Sequence, residues 1–317
     1  MRIGVLGAAR ITDGALLAPA GRIDGVEVAA IAARDPERAA LYAARHGIPR
    51  VHESYLALLD DVSLDAVYVA LPAALHAEWA LAAIAAGKHV LCEKPFTANA
   101  TEAQAVHAAA VASKLVVMEA HHAAFHPLVA RVRELAGELG EIEGGRSWFH
   151  VPIRPGGDIR WNLSLGGGSL MDLGVYPLRF ARDVLGAATV ESARAWRLGD
   201  IDRRMRAQLR HGAVPFEVDC GMWSRKAFGT GFELLGARGR LRVTWPFNPQ
   251  AGSRIRVDGP QLHVREAADS RPSYDFQLEA FRDAVLSGAA SAPTEAVETM
   301  RTVDAIYRAS GMKPRAE

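Results

Sequence analysis

The chain has 317 residues, half of them hydrophobic and 23% charged, and a formal net charge of +1. That length points to two domains of ordinary size, and the balanced charge argues against nucleic acid or an acidic membrane surface as partner. Two cysteines, Cys92 and Cys220, rule out a disulfide framework and leave no CxxC pair for zinc or redox work; two buried thiols in a reducing cytoplasm are expected. The opening "MRIGVLGAAR" is not read as a signal peptide. No uninterrupted apolar run reaches the roughly 18 residues of a membrane span.

Residues 1 to about 120 alternate between two kinds of segment. "RIGVLG", "VEVAAIAA", "DAVYVALP", "HVLCE" and "LVVMEA" are strand-length and almost continuously apolar, as strands buried on both faces of a parallel sheet are. Between them "DPERAALYAARHG", "SYLALLD" and "AALHAEWALAAIAAG" carry helical patterning. The alternation predicts βαβ units and a doubly wound α/β domain over 1–120.

Beyond residue 120 the rhythm changes. "HPLVARVRELAGELG" predicts a helix, and "IEGGRSWFHVPI" has a strand-like second half. "LGGGS" opens a helical stretch to about Leu185, with Ser169 as a candidate N-cap and Pro177 predicting a kink or a late start. From Thr189 to Val264 closely spaced strands dominate and predict an antiparallel sheet. "SYDFQLEAFRDAVLSG" and "TEAVETMRTVDAIYRASG" are amphipathic helices. The expectation for 121–317 is an α+β domain with an open, mostly antiparallel sheet.

"IGVLGAARIT" leads the first strand into a tight turn, where a dinucleotide fold sets its pyrophosphate against the N-terminus of a helix. Gly7 suits the tight-turn position, while the next two fingerprint positions are Ala9 and Thr12. Gly7, Ala8, Ala9, Arg10 and Ile11 are the candidate cradle. At the end of the second strand NAD-binding versions carry an acidic side chain for the ribose hydroxyls, whereas an arginine suits the extra phosphate of NADP. Arg34 and Arg38 stand there, so NADP(H) is favoured over NAD(H). Two readings compete with this: both arginines are merely solvated, or Asp35 takes the acidic role one position late.

With "CEKP", this architecture resembles the Gfo/Idh/MocA family, named for glucose-fructose oxidoreductase, inositol dehydrogenase and rhizopine catabolism. "GVLGAARI", "ALPAALHAEWALAAIAAGKHVLCEKPF" and "LGGGSLMDLGVYPL" carry the likeness, which spans nearly the whole chain. "GAARI" and the tyrosine of "VYP" look most like the branch holding dimeric dihydrodiol dehydrogenase and the NADP-dependent aldose dehydrogenases. The resemblance implies a Rossmann domain carrying NAD(P) and a second domain for substrate and for dimer or tetramer contacts through its sheet. The implied substrate is a small sugar, polyol or cyclic diol or ketone. It further implies a cis Lys94–Pro95 bond, Leu71, Pro72 and His76 near the cofactor, and His121 or His122 near the nicotinamide or sugar.

In an open α/β sheet the ligand lies outside the carboxyl ends of the strands. Glu93 and Lys94 end the fourth apolar run, so Lys94 falls at the nicotinamide end, with Glu93 holding Lys94 or contacting the ribose. Oxidation of an alcohol needs a proton acceptor, and reduction a donor. Tyr176 is a candidate, because a nearby ammonium such as Lys94 would favour its phenolate over an ordinary pKa near about 10. Which of the two hands over the proton is open. Asp172, four residues before Tyr176 on a helical stretch, would orient a substrate hydroxyl or the base. The family motif often has His at the position of Tyr176. Arg160 and Trp161 could hydrogen-bond and stack on a sugar ring, or be surface and core. His122 and His126 have helical ligand spacing, but no third ligand or HExxH motif accompanies them, and no metal is expected.

The leading expectation is an NADP(H)-dependent oxidoreductase acting on a hydroxyl or carbonyl carbon. Two alternatives remain: a glycoside-cleaving enzyme that oxidises its sugar transiently, and a non-catalytic NADP sensor.

Overall fold

The apolar runs of the first 120 residues become the strands of one parallel sheet. The computed structural model describes residues 1–224, 226 and 228–316. In chain order come β1 (Arg2–Leu6), a π-helical turn at Asp13–Leu17 passing into α1 (Ala18–Ala20), β2 (Glu27–Ala32), α2 (Pro36–His46), β3 (Arg50–His52), α3 (Tyr55–Leu59), β4 (Ala66–Val69), α4 (His76–Ala85), β5 (His89–Glu93), α5 (Ala100–Ser113) and β6 (Val117–Ala120). The strand order is β3-β2-β1-β4-β5-β6, which reverses direction between β1 and β4, the switch point where such sheets bind ligands. Ile3, Ile31, Tyr68 and Leu91 are fully buried in this sheet, and each such side chain contributes about 1.5–3 kcal/mol of transfer free energy.

Two elements escape the apolar pattern. β3 is the three-residue edge strand "RVH", half exposed and paired only to β2 through Ala30–Ala32; it is too short and polar to show a period. α5 is almost evenly apolar around its circumference, so no stripe marks it. Its start is nevertheless written in "NATE". The Asn99 side chain accepts from Glu102 N at 2.9 Å, and Glu102 Oε2 accepts from Ala98 N at 3.0 Å, a variant of the capping box.

The second half contains α6 (Pro127–Glu138), β7 (Ile142–His150), a π-helical turn at Leu170–Gly174 passing into α7 (Val175–Leu185), β8 (Thr189–Leu198), β9 (Ile201–His211), β10 (Val214–Gly221), β11 (Gly229–Gly236), β12 (Gly239–Thr244), β13 (Arg254–Asp258), β14 (His263–Ala267), α8 (Ser273–Ser287) and α9 (Thr294–Ala309). The strands form one eight-stranded sheet in the order β14-β13-β12-β11-β7-β10-β9-β8. Every pairing is antiparallel except β7 with β10, so the sheet is mixed and mostly antiparallel. One face carries an aromatic core of Phe149, Tyr176, Phe180, Phe232 and Phe247, with neighbouring rings 4.9–6.0 Å apart.

Chain connectivity and packing do not coincide at the C-terminus. One compact unit is Met1–Ala120 with Tyr274–Val297, the other His121–Ser273 with Glu298–Glu317. The expected second domain, 121–317, therefore loses the 274–297 segment to the first. The cause is burial: Leu278 and Phe281 of α8 join the core cluster of Ile3, Val5 and Leu91, and Arg22 forms a two-point ion pair with Asp275. Among the described residues no helix is long and apolar enough to cross a membrane.

Candidate active site

Register brings one group of candidate residues to a common edge. Leu6 pairs with Ala32 and with Val69, and Val69 pairs with Cys92. These four residues form a row, so the segments that follow β1, β2, β4 and β5 all leave the sheet at its carboxyl edge. Gly7, Arg34, Leu71 and Lys94 belong to those segments.

The turn after β1 is tight. Gly7 adopts φ +103°, its N–H donates to Ala32 O at 2.8 Å, and a Cβ there would lie 2.6 Å from Ala70 O. Only glycine fits without moving the backbone. Ala8 is buried, Ala9 half-buried, and Arg10 and Ile11 are exposed. Ala9 departs from the glycine of the fingerprint. Arg38 reaches back from α2 and donates Nη2–H to Ala8 O at 2.7 Å, while Arg34 is exposed. The Asp35 side chain caps α2, its Oδ1 accepting from Glu37 N at 3.0 Å and Arg38 N at 3.2 Å. A close-approach glycine turn flanked by two arginines fits a dinucleotide phosphate chain.

At the end of β5 Lys94 is half-buried, and its peptide bond to Pro95 is cis. Glu93 is buried; its Oε2 accepts from Lys94 N at 3.2 Å and its Oε1 from the Tyr68 hydroxyl at 2.5 Å. Tyr68 had no signal beyond being a polar atom inside "AVYV". Both ring nitrogens of His76 face main-chain carbonyls, Pro95 O at 2.8 Å and Leu71 O at 2.7 Å. Burial pushes the His76 pKa below its ordinary value against those two carbonyls. Pro72 starts a 3-10 turn, accepting at its carbonyl from Leu75 N at 2.8 Å.

In the other unit Asp172 lies in the π-helical turn, and Pro177 follows in the first turn of α7. A proline lacks an N–H and crowds the carbonyl four residues back. A wide π-helical turn therefore precedes it, and the regular α-helix starts only at Val175. Asp172 Oδ2 accepts from Arg160 Nε at 2.7 Å, and Arg160 also pairs with Asp158 at 3.1 Å. Burial lowers the Arg160 pKa, but attraction to Asp172 and Asp158 outweighs it, and the net shift is upward. Gly167 allows the two loops to meet, since a Cβ there would lie 2.5 Å from Arg160 O. Trp161 Nε1 is buried with no hydrogen-bond partner among the described residues, at a cost of about 1–3 kcal/mol.

Tyr176 is buried at 7% exposure. Its hydroxyl is 3.4 Å from His122 Nε2, His122 Nδ1 is 2.7 Å from Ser273 Oγ, and Ser273 Oγ–H donates to Gln250 Oε1 at 3.0 Å. His121 packs its ring 4.7 Å from that of Tyr176. His122 thus backs the tyrosine. His126 caps α6, accepting at Nδ1 from Leu128 N at 3.0 Å.

Ser169 does not cap the helical stretch. Its hydroxyl donates to Asp202 Oδ2 at 2.9 Å, and the same oxygen accepts from Leu170 N at 2.8 Å. Asp202, fully buried on β9, is the capping residue, and Tyr307 and Arg315 hold its other oxygen at 3.0 and 2.5 Å. Nothing in the local sequence tied Asp202 to the glycine loop.

Residues 1–121 match the Gfo/Idh/MocA oxidoreductase family with its NAD-binding Rossmann fold, and residues 129–242 match the family's C-terminal domain. D-xylose 1-dehydrogenase (NADP(+)) 2 of Haloferax volcanii is 39% identical over 98% of this chain and 97% of its own. The chain belongs to the Gfo/Idh/MocA family. As a Gfo/Idh/MocA protein it is an NAD(P)-dependent oxidoreductase acting on CH–OH groups. A dTDP-3,4-didehydro-2,6-dideoxy-alpha-D-glucose 3-reductase of Streptomyces antibioticus is 37% identical over 90% of this chain and 88% of its own. The structure of the 3-ketoreductase KijD10 from Actinomadura kijaniata, in complex with NADP and TDP-benzene, superposes with a TM-score of 0.90 at 33% identity, covering 98% of this chain and 97% of that one.

Proposed function

We propose that this Gfo/Idh/MocA enzyme uses NADP(H) to interconvert a hydroxyl and a carbonyl on a sugar or a related polyol or cyclic diol. The observation that carries the sugar reading is the Asp172–Arg160 pair, Arg160 Nε donating to Asp172 Oδ2 at 2.7 Å. A carboxylate oriented by a guanidinium suits a ligand rich in hydroxyls. The named substrates of the xylose dehydrogenase and of the ketoreductases support the same class.

Gly7 and the Ala8–Ile11 turn would hold the pyrophosphate, and Arg34 with Arg38 the 2′-phosphate. Asp35 caps α2 through Oδ1, which supports the arginine reading of that position. When bound, the cofactor donates or accepts the hydride. Lys94 donates a hydrogen bond to the reacting oxygen, Tyr176 gives or takes its proton, and Asp172 orients the neighbouring hydroxyl. Both cysteines are free and buried, which supports a reducing, cytoplasmic setting. The eight-stranded sheet presents Arg146, Trp148, Arg204 and Arg242 on the face away from the aromatic core, a surface suited to a sheet-to-sheet dimer or tetramer, testable by light scattering.

The decisive experiment follows nicotinamide absorbance with aldoses, polyols, diketones and diols, alongside fluorescence titration of NADPH and NADH. Turnover on at least one sugar-like compound is expected, with NADPH bound more tightly and that preference lost in Arg34→Ala/Arg38→Ala. Binding without any turnover would favour a sensor. Loss of a glycoside without net absorbance change would favour transient oxidation.

A further inference from the structure

Lys94 sits at the end of a strand, and four groups around it are tied down by buried partners of its own unit. Ahead of it, the Glu93 carboxylate accepts from the Tyr68 hydroxyl at 2.5 Å on one oxygen and from Lys94 N at 3.2 Å on the other. Behind it, Pro95 O meets His76 Nδ1 at 2.8 Å, and Phe96 O accepts from Cys92 Sγ–H at 3.7 Å. The second nitrogen of His76 faces Leu71 O at 2.7 Å, so one ring lies between the segments that leave β4 and β5. Tyr68 is fully buried and His76 is 1% exposed. Neither is aimed at solvent, and both ring nitrogens of His76 face main-chain carbonyls.

We infer that Tyr68 and His76 are positioning residues that fix the Lys94 turn, Tyr68 through the Glu93 carboxylate and His76 through the Pro95 carbonyl. This rests on the assignment of Lys94 to the reacting oxygen. The physical reason is geometric. A long lysine side chain has many rotamers to lose, so its aim depends on how firmly its backbone is held. A group displaced by about an ångström can cost around a hundredfold in rate. A hydrogen bond from a phenol to a carboxylate is of the strong, charge-assisted kind, and a neutral ring at His76 donates to one of its two carbonyls while the imidazolium donates to both. His76 therefore acts as a brace between the two segments.

Tyr68→Phe removes one hydroxyl and keeps the ring. It is expected to lower kcat roughly tenfold while the sugar KM and NADPH affinity stay within about twofold. The deuterium isotope effect on kcat should rise, because hydride transfer becomes more limiting. A purely structural role would lower the melting temperature and leave that isotope effect unchanged. His76→Gln, which can still donate to one carbonyl, should fall between wild type and His76→Ala, and it keeps the test alive if Tyr68→Phe does not fold. Folded Tyr68→Phe and His76→Ala with wild-type kcat and isotope effect would overturn the inference if Lys94→Met is inactive. Were Lys94→Met itself fully active, the assignment of Lys94 would fail first.

Discussion

The Lys94 turn and the Asp172–Tyr176 stretch are anchored in opposite ways. Lys94 follows a strand whose register fixes it, and its anchors Tyr68, Leu71, His76 and Cys92 all lie within 26 residues before it. Asp172 and Tyr176 lie in a π-helical turn and the helix after it, held by Arg160, by His122 with Ser273, and by Asp202 with Arg315. One arrangement is local and rests on main-chain carbonyls. The other is a polar network assembled from distant loops, with a half-exposed ion pair at its end. The first should resist salt and tolerate change outside its strands; the second should be sensitive to substitutions far away in sequence.

That contrast orders the expected effects. Lys94→Met should cost about a thousandfold or more in kcat, within the range of a lost proton-handling group, while fluorescence titration still detects NADPH binding. Tyr176→Phe should cost about a hundredfold, measured as steady-state kcat on the best substrate of the panel. Equal activity in that variant would leave Lys94 as the sole proton donor. Arg160→Met leaves Asp172 without its guanidinium and should cost about tenfold in kcat/KM, mostly as a higher KM. Added salt should weaken the wild type towards that variant, since the pair is partly exposed.

The smallest effect lies outside both regions. Asp61 pairs with Arg50 at 2.6 Å, and hydrogen bonds from Ser63, opposed by burial and helped by Arg50, push its pKa from 3.8 down to about 2. A depressed pKa means that this stabilisation is complete above about pH 4 and is lost as pH falls towards 2. Asp61→Asn should lower the melting temperature by a few degrees at neutral pH, and the gap to wild type should close across that acid window.

The same contrast decides how much of the structure the sequence alone carries. Near-continuous apolar runs announced five of the six parallel strands, and the sixth, "RVH", was too short to carry a period. "CEKP" placed Lys94 at the strand end because its setting is local. The Asp172 network was not legible, because the capping of Leu170 N by Asp202 and the pairing of Arg160 with Asp172 depend on loop paths that no periodicity encodes. Ser169 looked like an N-cap by residue type, yet its hydroxyl turned to a buried carboxylate instead. The parallel pairing of β7 with β10 is likewise a long-range choice. So is the return of α8 to the first unit, where Phe281 finds a core that its amphipathic pattern only required to exist.

Hydride transfer itself can be followed with NADPH carrying deuterium at the transferable position of nicotinamide C4. Mass spectrometry of the sugar-like product after reduction of the matching carbonyl compound should find one deuterium per turnover, fixed at the new carbinol carbon. A product without label, or label that stays with the cofactor while a glycosidic bond is cleaved, would contradict the assignment of this chain as an NADP(H)-dependent sugar oxidoreductase.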